Sequence, residues 1–273
     1  MVKQLPAASA APALPPLACT PKHLPLDRLV AAAAIATDIN PNNHPPLGRV
    51  ARILKGAATA LEIAIITNKR WHTAGVHLTV GFLDTPPANL RRRILQHMNA
   101  WAQTANVRFR QTASDAAQVR ISRVGGPDGG YWSYLGTDIL SIAPGEATLN
   151  LEGFTMATPE SEFHRVVRHE TGHTLGFPHE HMRAELVAKI DPKKAIAFFK
   201  ATQGWTEQEI RQQVLTPLEE SSLLGTVPPD PSSIMCYQIP GAITKDGLPI
   251  LGGLDIDATD FAFAAKMYPR KLK

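Results

Sequence analysis

Between His169 and His179 the chain reads HETGHTLGFPH, and this stretch restricts the fold more than any other. His169 and His173 are four residues apart, a spacing that in a helix sets both imidazoles on one face, where they can reach one metal ion. Gly176 can take the left-handed conformation that ends a helix, and the turn it permits brings His179 back toward the same ion. The chain must therefore supply a helix over about 161–175, a sharp stop, and a third ligand beyond it. The five-residue H-E-x-x-H pattern alone arises by chance in about one or two of a hundred such sequences, but with Gly176 and His179 at fixed offsets the expectation falls to the order of one in ten thousand. Three neutral imidazoles suit Zn2+, one per chain, and leave a fourth position for water, the arrangement of a catalytic site. Glu170 projects beside the ligands without being one of them, so it can take a proton from that water. His164 and His181 flank the motif at offsets that do not fit the ligand pattern and read as surface or supporting histidines.

The rest of the chain must house this site. Its 273 residues, 44% hydrophobic and 19% charged, have ordinary globular composition and suffice for one large domain or two modest ones. A formal charge of +4, with no basic run longer than Arg91-Arg92-Arg93, argues against nucleic acid as a partner; that run falls in an expected helix and reads as a solvated face. Cys19 and Cys236 permit one disulfide at most. The most apolar stretches, 29–36 and 57–66, are shorter than the roughly 18 residues of a membrane span, so no membrane partner is expected. Pro6, Pro12, Pro15 and Pro16 spoil the N-terminus as a signal peptide, which reads as poor or trimmed.

Residues 1–46, rich in Ala and Pro, read as an extended appendage, and apolar spacing predicts a joining helix over 47–67. The division expected is an N-terminal appendage, 1–68, as a candidate prosegment, and a catalytic domain, 69–273. Within the latter, alternation and punctuation predict strands at 76–83, 107–112 and 118–123, an extended segment at 148–154, and helices near 85–105, 161–175, 192–203, 206–215 and 257–267. The mixed order of elements indicates an α+β or α/β architecture with helices concentrated in the C-terminal half. Trp101, Phe109, Trp132 and Phe154 read as core. Met235 reads as packing beneath the metal.

The run HETGHTLGFPHEHMR, His169 to Arg183, resembles the zinc-binding consensus of the metzincin metallopeptidases, and Glu180 directly after the third His resembles the astacin family within them. Ser233-Ile234-Met235-Cys236-Tyr237 is similar to the astacin Met-turn, Trp132-Ser133-Tyr134-Leu135-Gly136 to a W-S-Y-V-G segment, and Met267-Tyr268-Pro269 to the end of the last helix. The resemblance covers about 71–270. It implies an α+β, two-lobe catalytic domain, with a mixed twisted sheet and the active-site helix in the N-terminal lobe and a mainly helical or irregular C-terminal lobe. It further implies Met235 under the metal, Tyr237 as a switchable fifth ligand that hydrogen-bonds the oxyanion, an extended polypeptide substrate along the strand edge at Ala147–Leu151, secretion, and a monomer. Glu180 is implied to contact, through water, the new N-terminus of the matured enzyme.

The family's core disulfides have no counterpart here, Arg183 is followed by Ala184-Glu185-Leu186 instead of Pro-Asp-Arg-Asp, and Cys236 stands where the Met-turn commonly has His. These features fit a bacterial, disulfide-poor branch. The alternatives are a metzincin of another family, against which Glu180 and Tyr237 argue, and a zinc-containing binding protein without catalysis, against which Glu170 argues. Cys19 is a candidate inhibitory zinc ligand, because a thiolate in the fourth position would displace the water and make the appendage a prosegment of the cysteine-switch kind. Its other readings are a free surface thiol, a remnant of an export signal, or a disulfide partner of Cys236.

Overall fold

Alternation along Val76–Phe82 (β1) buries Val76, Leu78 and Val80 while His77 stays in solvent. β1 pairs in parallel with Val107–Gln111 (β2) on one side and Val119–Ser122 (β3) on the other. Tyr131–Ser133 (β4) pairs antiparallel with Leu149–Leu151 (β5), which in turn pairs in parallel with β3. The computed structural model describes residues 19, 22–45, 60, 63–64, 67–113, 116–217, 229–236 and 238–270. Its five-stranded mixed sheet has the order β2-β1-β3-β5-β4. All four residues of the central β3 are buried, as expected for a strand covered on both faces.

Two differences from the sequence reading concern the sheet edge. The sequence predicts no strand at β4, since three residues carry too little periodicity to register. The segment expected at the edge, Ala147–Leu151, instead contains the interior strand β5, and the edge strand is β4.

The N-terminal appendage is more ordered than its composition suggests, because Leu26–Ile39 forms a helix (α1) burying Ala32, Ala33 and Ala36. Alanine favours helix strongly, and the prolines stop at Pro25 and resume at Pro41, so none interrupts it. The expected 47–67 helix lies largely outside the described residues, of which Ala60, Ile63 and Ala64 are helical.

Ala88–Met98 (α2) packs Leu90, Ile94 and Met98 into the main core. The three arginines on it are not simply a solvated face. Arg93 lies 3.9 Å over the Phe163 ring and pairs with Glu160, and Arg91 donates to Pro86 O at 2.7 Å; Arg92 is exposed. The expected 161–175 helix begins as a turn at Glu160–Glu162, passes through a π-helical segment, Phe163–Val167, and continues as Arg168–Thr174 (α3). Pro192–Gln203 (α4) starts at an Asp191 cap with Pro192 in its first turn and stops at Gly204, φ 68°. It joins Leu186, Ile190, Ile210, Val214, Ile239, Ile243 and Ile250 in a second core. Ala258–Met267 (α5) follows a reciprocal capping box of Asp257 and Asp260. Among the described residues no helix is long and apolar enough to cross a membrane.

Candidate active site

Helix α3 carries His169, Glu170 and His173, all buried. It ends where Gly176, φ 90°, lets Gly176 N donate to His173 O at 2.8 Å and Phe177 N to Gly172 O at 3.0 Å. The reversal returns His179, whose Nε2 lies 3.2 Å from His169 Nε2 and 2.9 Å from His173 Nε2. The opposite nitrogens settle what these atoms carry. His169 Nδ1 lies 2.6 Å from Ile234 O and His173 Nδ1 2.8 Å from Phe177 O, and a carbonyl only accepts, so each Nδ1 holds the proton. The Nε2 atoms of His169 and His173 then each present a lone pair toward His179 Nε2, an arrangement suited to holding a cation. Burial holds His169 at about 4 and pushes His173 and His179 well below the usual histidine range, which keeps all three neutral and ready to ligate. The donor set and its tautomers fit Zn2+.

Cys19 Sγ lies 3.5 Å from His173 Nε2, and the four potential ligand atoms of Cys19, His169, His173 and His179 fall within 4.8 Å of one another. Cys19 is 4% exposed and neither cysteine forms a disulfide, so the surface-thiol and Cys236-disulfide readings do not hold. Cys19 and Lys22 also bridge in parallel to Tyr131 and Tyr134, which lays this part of the appendage along the β4 rim.

Glu170 is 1% exposed, and burial pushes its carboxyl up to about 8, partly offset by the neighbouring Cys19 thiol. This has a pH signature in the chelated, metal-free chain. A carboxyl raised from 4.5 to about 8 binds its proton more tightly in the folded chain than in the unfolded one. Its contribution to stability is therefore present below the unfolded value and is lost as pH rises through the folded one. Glutamine has no such titration. Metal-free Glu170→Gln should melt above metal-free wild type at pH 8, with the gap closing toward pH 4; a constant gap would show that burial does not hold the carboxyl neutral.

Beneath the site, Met235 packs against α3 so closely that a Cβ at Gly172 would collide with its sulfur. Gly172→Ala is therefore expected to destabilise the fold by about 1–3 kcal/mol and to lower zinc affinity, measured by thermal melting and zinc titration. A variant with unchanged melting and affinity would show that Met235 yields freely.

Residues that sequence reasoning missed hold this arrangement in place. Asp260 on α5 accepts from Ser233 Oγ at 2.6 Å and Ile234 N at 2.9 Å, tying the turn over Ser233–Cys236 to the helix. Since Ile234 O in turn accepts from His169, Asp260 positions that imidazole from 91 residues away in the chain, counted between residues 169 and 260. Burial raises the Asp260 carboxyl to about 6. Three aromatic side chains satisfy backbone carbonyls of the active-site helix and its end: Trp101 Nε1 to Arg168 O at 2.9 Å, Trp71 Nε1 to Thr174 O at 2.8 Å, and Tyr268 OH to Leu175 O at 2.6 Å. Their sequence signals were faint: the paired Asp257 and Asp260 before an apolar run, and Tyr268 in the Met-Tyr-Pro segment.

Glu180 accepts from Arg183 at 3.1 Å and from Asp230 N at 3.2 Å. His164 bonds Asp255 at 2.7 Å, and His181 is fully buried with its ring 5.1 Å from that of His179; neither falls in the cluster of Cys19, His169, His173 and His179. The buried Cys236 thiol is pushed far above its ordinary range, chiefly by burial. Tyr237 lies outside the described residues.

The comparisons with known proteins agree with this geometry. The model of the astacin peptidase family matches residues 64–241. One solved structure of myroilysin is 31% identical, with a TM-score of 0.68, over 75% of this chain and 97% of that one. A second myroilysin structure, also 31% identical, gives a TM-score of 0.57 over 74% of this chain and 86% of that one. Among curated proteins, the zinc metalloproteinase nas-27 of Caenorhabditis elegans is 26% identical over 124 residues, 43% of this chain. The aligned part spans about a quarter of that relative's length, 26%. A three-histidine cluster on a helix that glycine ends, set beside a strand rim and matched by a family model over most of the chain, leads to one conclusion: the chain belongs to the astacin family of zinc-dependent peptidases.

Proposed function

We propose that this protein is a latent zinc endopeptidase that cuts extended polypeptides once its N-terminal segment is released. The observation that carries the reading is the convergence of three neutral imidazole Nε2 atoms near a buried carboxyl group and an edge strand. His169, His173 and His179 would hold the metal, which when bound supplies a Lewis acid for the scissile carbonyl and an acidified water. Glu170 takes the proton of the attacking water and passes it to the leaving amine. β4 offers its backbone edge to an extended chain, which holds the substrate without demanding particular side chains. Met235 supports α3 from below.

Tyr237 is assigned as the donor to the carbonyl oxygen as it gains charge. Tyr237→Phe should lower kcat by about 10²- to 10³-fold with little change in KM or zinc content, because the hydroxyl acts chiefly on the transition state. Unchanged turnover would reduce Tyr237 to a structural residue.

Latency is assigned to residues 1–68 acting as a prosegment on the 69–273 catalytic domain, with Cys19 taking the place of the water. Its support is the position of the Cys19 thiol among the histidines and the occupation of β4 by the same segment. A peptidase held inactive until processed suits release from the producing cell. We therefore assign it to a secreted, monomeric enzyme that acts on polypeptides without nucleic acid or membrane as partner. Casein hydrolysis by the processed protein, stopped by a chelator and restored by zinc, tests the activity. Hydrolysis indifferent to metal removal would overturn it.

A further inference from the structure

The segment that carries Cys19 also carries a cation, and the rim holds it. Lys22 follows Cys19 by three residues and bridges to Tyr134. Its Nζ lies 4.8 Å from the centroid of the Trp132 ring and 3.4 Å from Asp128 Oδ1. Both partners sit on a braced frame. Trp132 is 5% exposed, and its Nε1 donates to Asp128 O at 3.0 Å, which fixes the ring against the backbone of the carboxylate's own residue. The glycine-rich loop that carries Asp128 is pinned from behind, where Asn150 Nδ2 donates to Val124 O at 2.9 Å and to Gly130 O at 2.7 Å. An aromatic face and a carboxylate thus form a shallow seat matched to the charged end of a long side chain. Asp128 is largely exposed, so the ion pair alone contributes little; the ring makes the seat selective for cations.

We propose that this seat, vacated when the N-terminal segment leaves, becomes a substrate subsite that favours Lys or Arg. The inference rests on the latent-peptidase reading above and names a specificity that reading leaves open. The direction of chain pairing sets the position. Lys22 lies toward Tyr134 and the metal-facing Cys19 toward Tyr131. A substrate paired antiparallel to β4, the more stable ladder, would run from Tyr134 toward Tyr131. The seat then reads a residue on the N-terminal side of the scissile bond, and Asp128 disfavours Asp or Glu there.

The test uses the full chain carrying Cys19→Ser and Lys22→Ala, loaded with zinc, so that neither thiol nor lysine competes. A position-scanning peptide mixture should show kcat/KM higher for Lys and Arg than for norleucine, by about three- to tenfold, at one position N-terminal to the cut. Asp128→Lys on the same chain should reverse the preference toward Glu. In parallel, Glu170→Gln is added, and binding of a fluorescent lysine peptide and its norleucine counterpart is measured by anisotropy, with about three- to tenfold tighter binding of the lysine form expected. Equal treatment of lysine and norleucine in both measurements, or a cationic preference only on the C-terminal side, would overturn the subsite. If no peptide is cut either by the Cys19→Ser chain or by a chain truncated before Leu47, the peptidase reading fails, while the binding comparison still decides the seat.

Discussion

Replacing Glu170 by Gln is expected to lower kcat for peptide hydrolysis by about 10²- to 10⁴-fold while one zinc per chain remains bound. The substitution keeps the shape of a side chain that is 1% exposed, so packing around α3 survives, and it removes the base without removing a ligand. His179→Ala gives the contrasting result. It leaves two imidazoles, His169 and His173, and should lose zinc to mild chelation, with activity lost as a consequence. Metal analysis beside kinetics separates the two, and full zinc retention by the His179 variant would refute the third-ligand assignment.

Cys19→Ser is expected to raise hydrolysis by the full-length chain by about 10²-fold or more, the advantage that tethering gives an intramolecular ligand. The serine hydroxyl is a far weaker zinc ligand than a thiolate, so the competitor of the water is removed while the segment stays in place. A chain truncated before Leu47 should be activated at least as much, because it also clears β4. Assays under reducing conditions exclude any contribution from a Cys236 disulfide. Equal activity of the wild-type, Cys19→Ser and truncated chains would eliminate the switch, whereas activation by truncation alone would shift inhibition from the thiol to the backbone laid along the rim.

Some of this molecule is legible in short-range pattern. The four-residue spacing of His169 and His173, the glycine stop and His179 specify a metal site, because helical geometry and one left-handed residue suffice to bring those side chains together. Helix α4 is equally readable from Asp191, Pro192 and Gly204, since caps act within one turn. The burial of Trp101, Phe109, Trp132 and Phe154 follows from their apolar bulk.

Tertiary structure decided what depends on pairing between distant segments. Which strand forms the rim is a property of sheet order, and a three-residue β4 acquires its identity from β5 and from the segment at Cys19 and Lys22 rather than from its own alternation. Asp260 reads locally as a helix cap, yet its second task is to hold Ile234 where His169 needs an acceptor. Cys19 offers only its thiol chemistry to sequence reasoning. A thiol 150 residues ahead of His169 is seen beside the histidines only once the fold closes the distance, because no local rule couples the two positions, and burial then supplies the low-dielectric setting that keeps the histidines neutral and, in the metal-free chain, raises the carboxyl of Glu170.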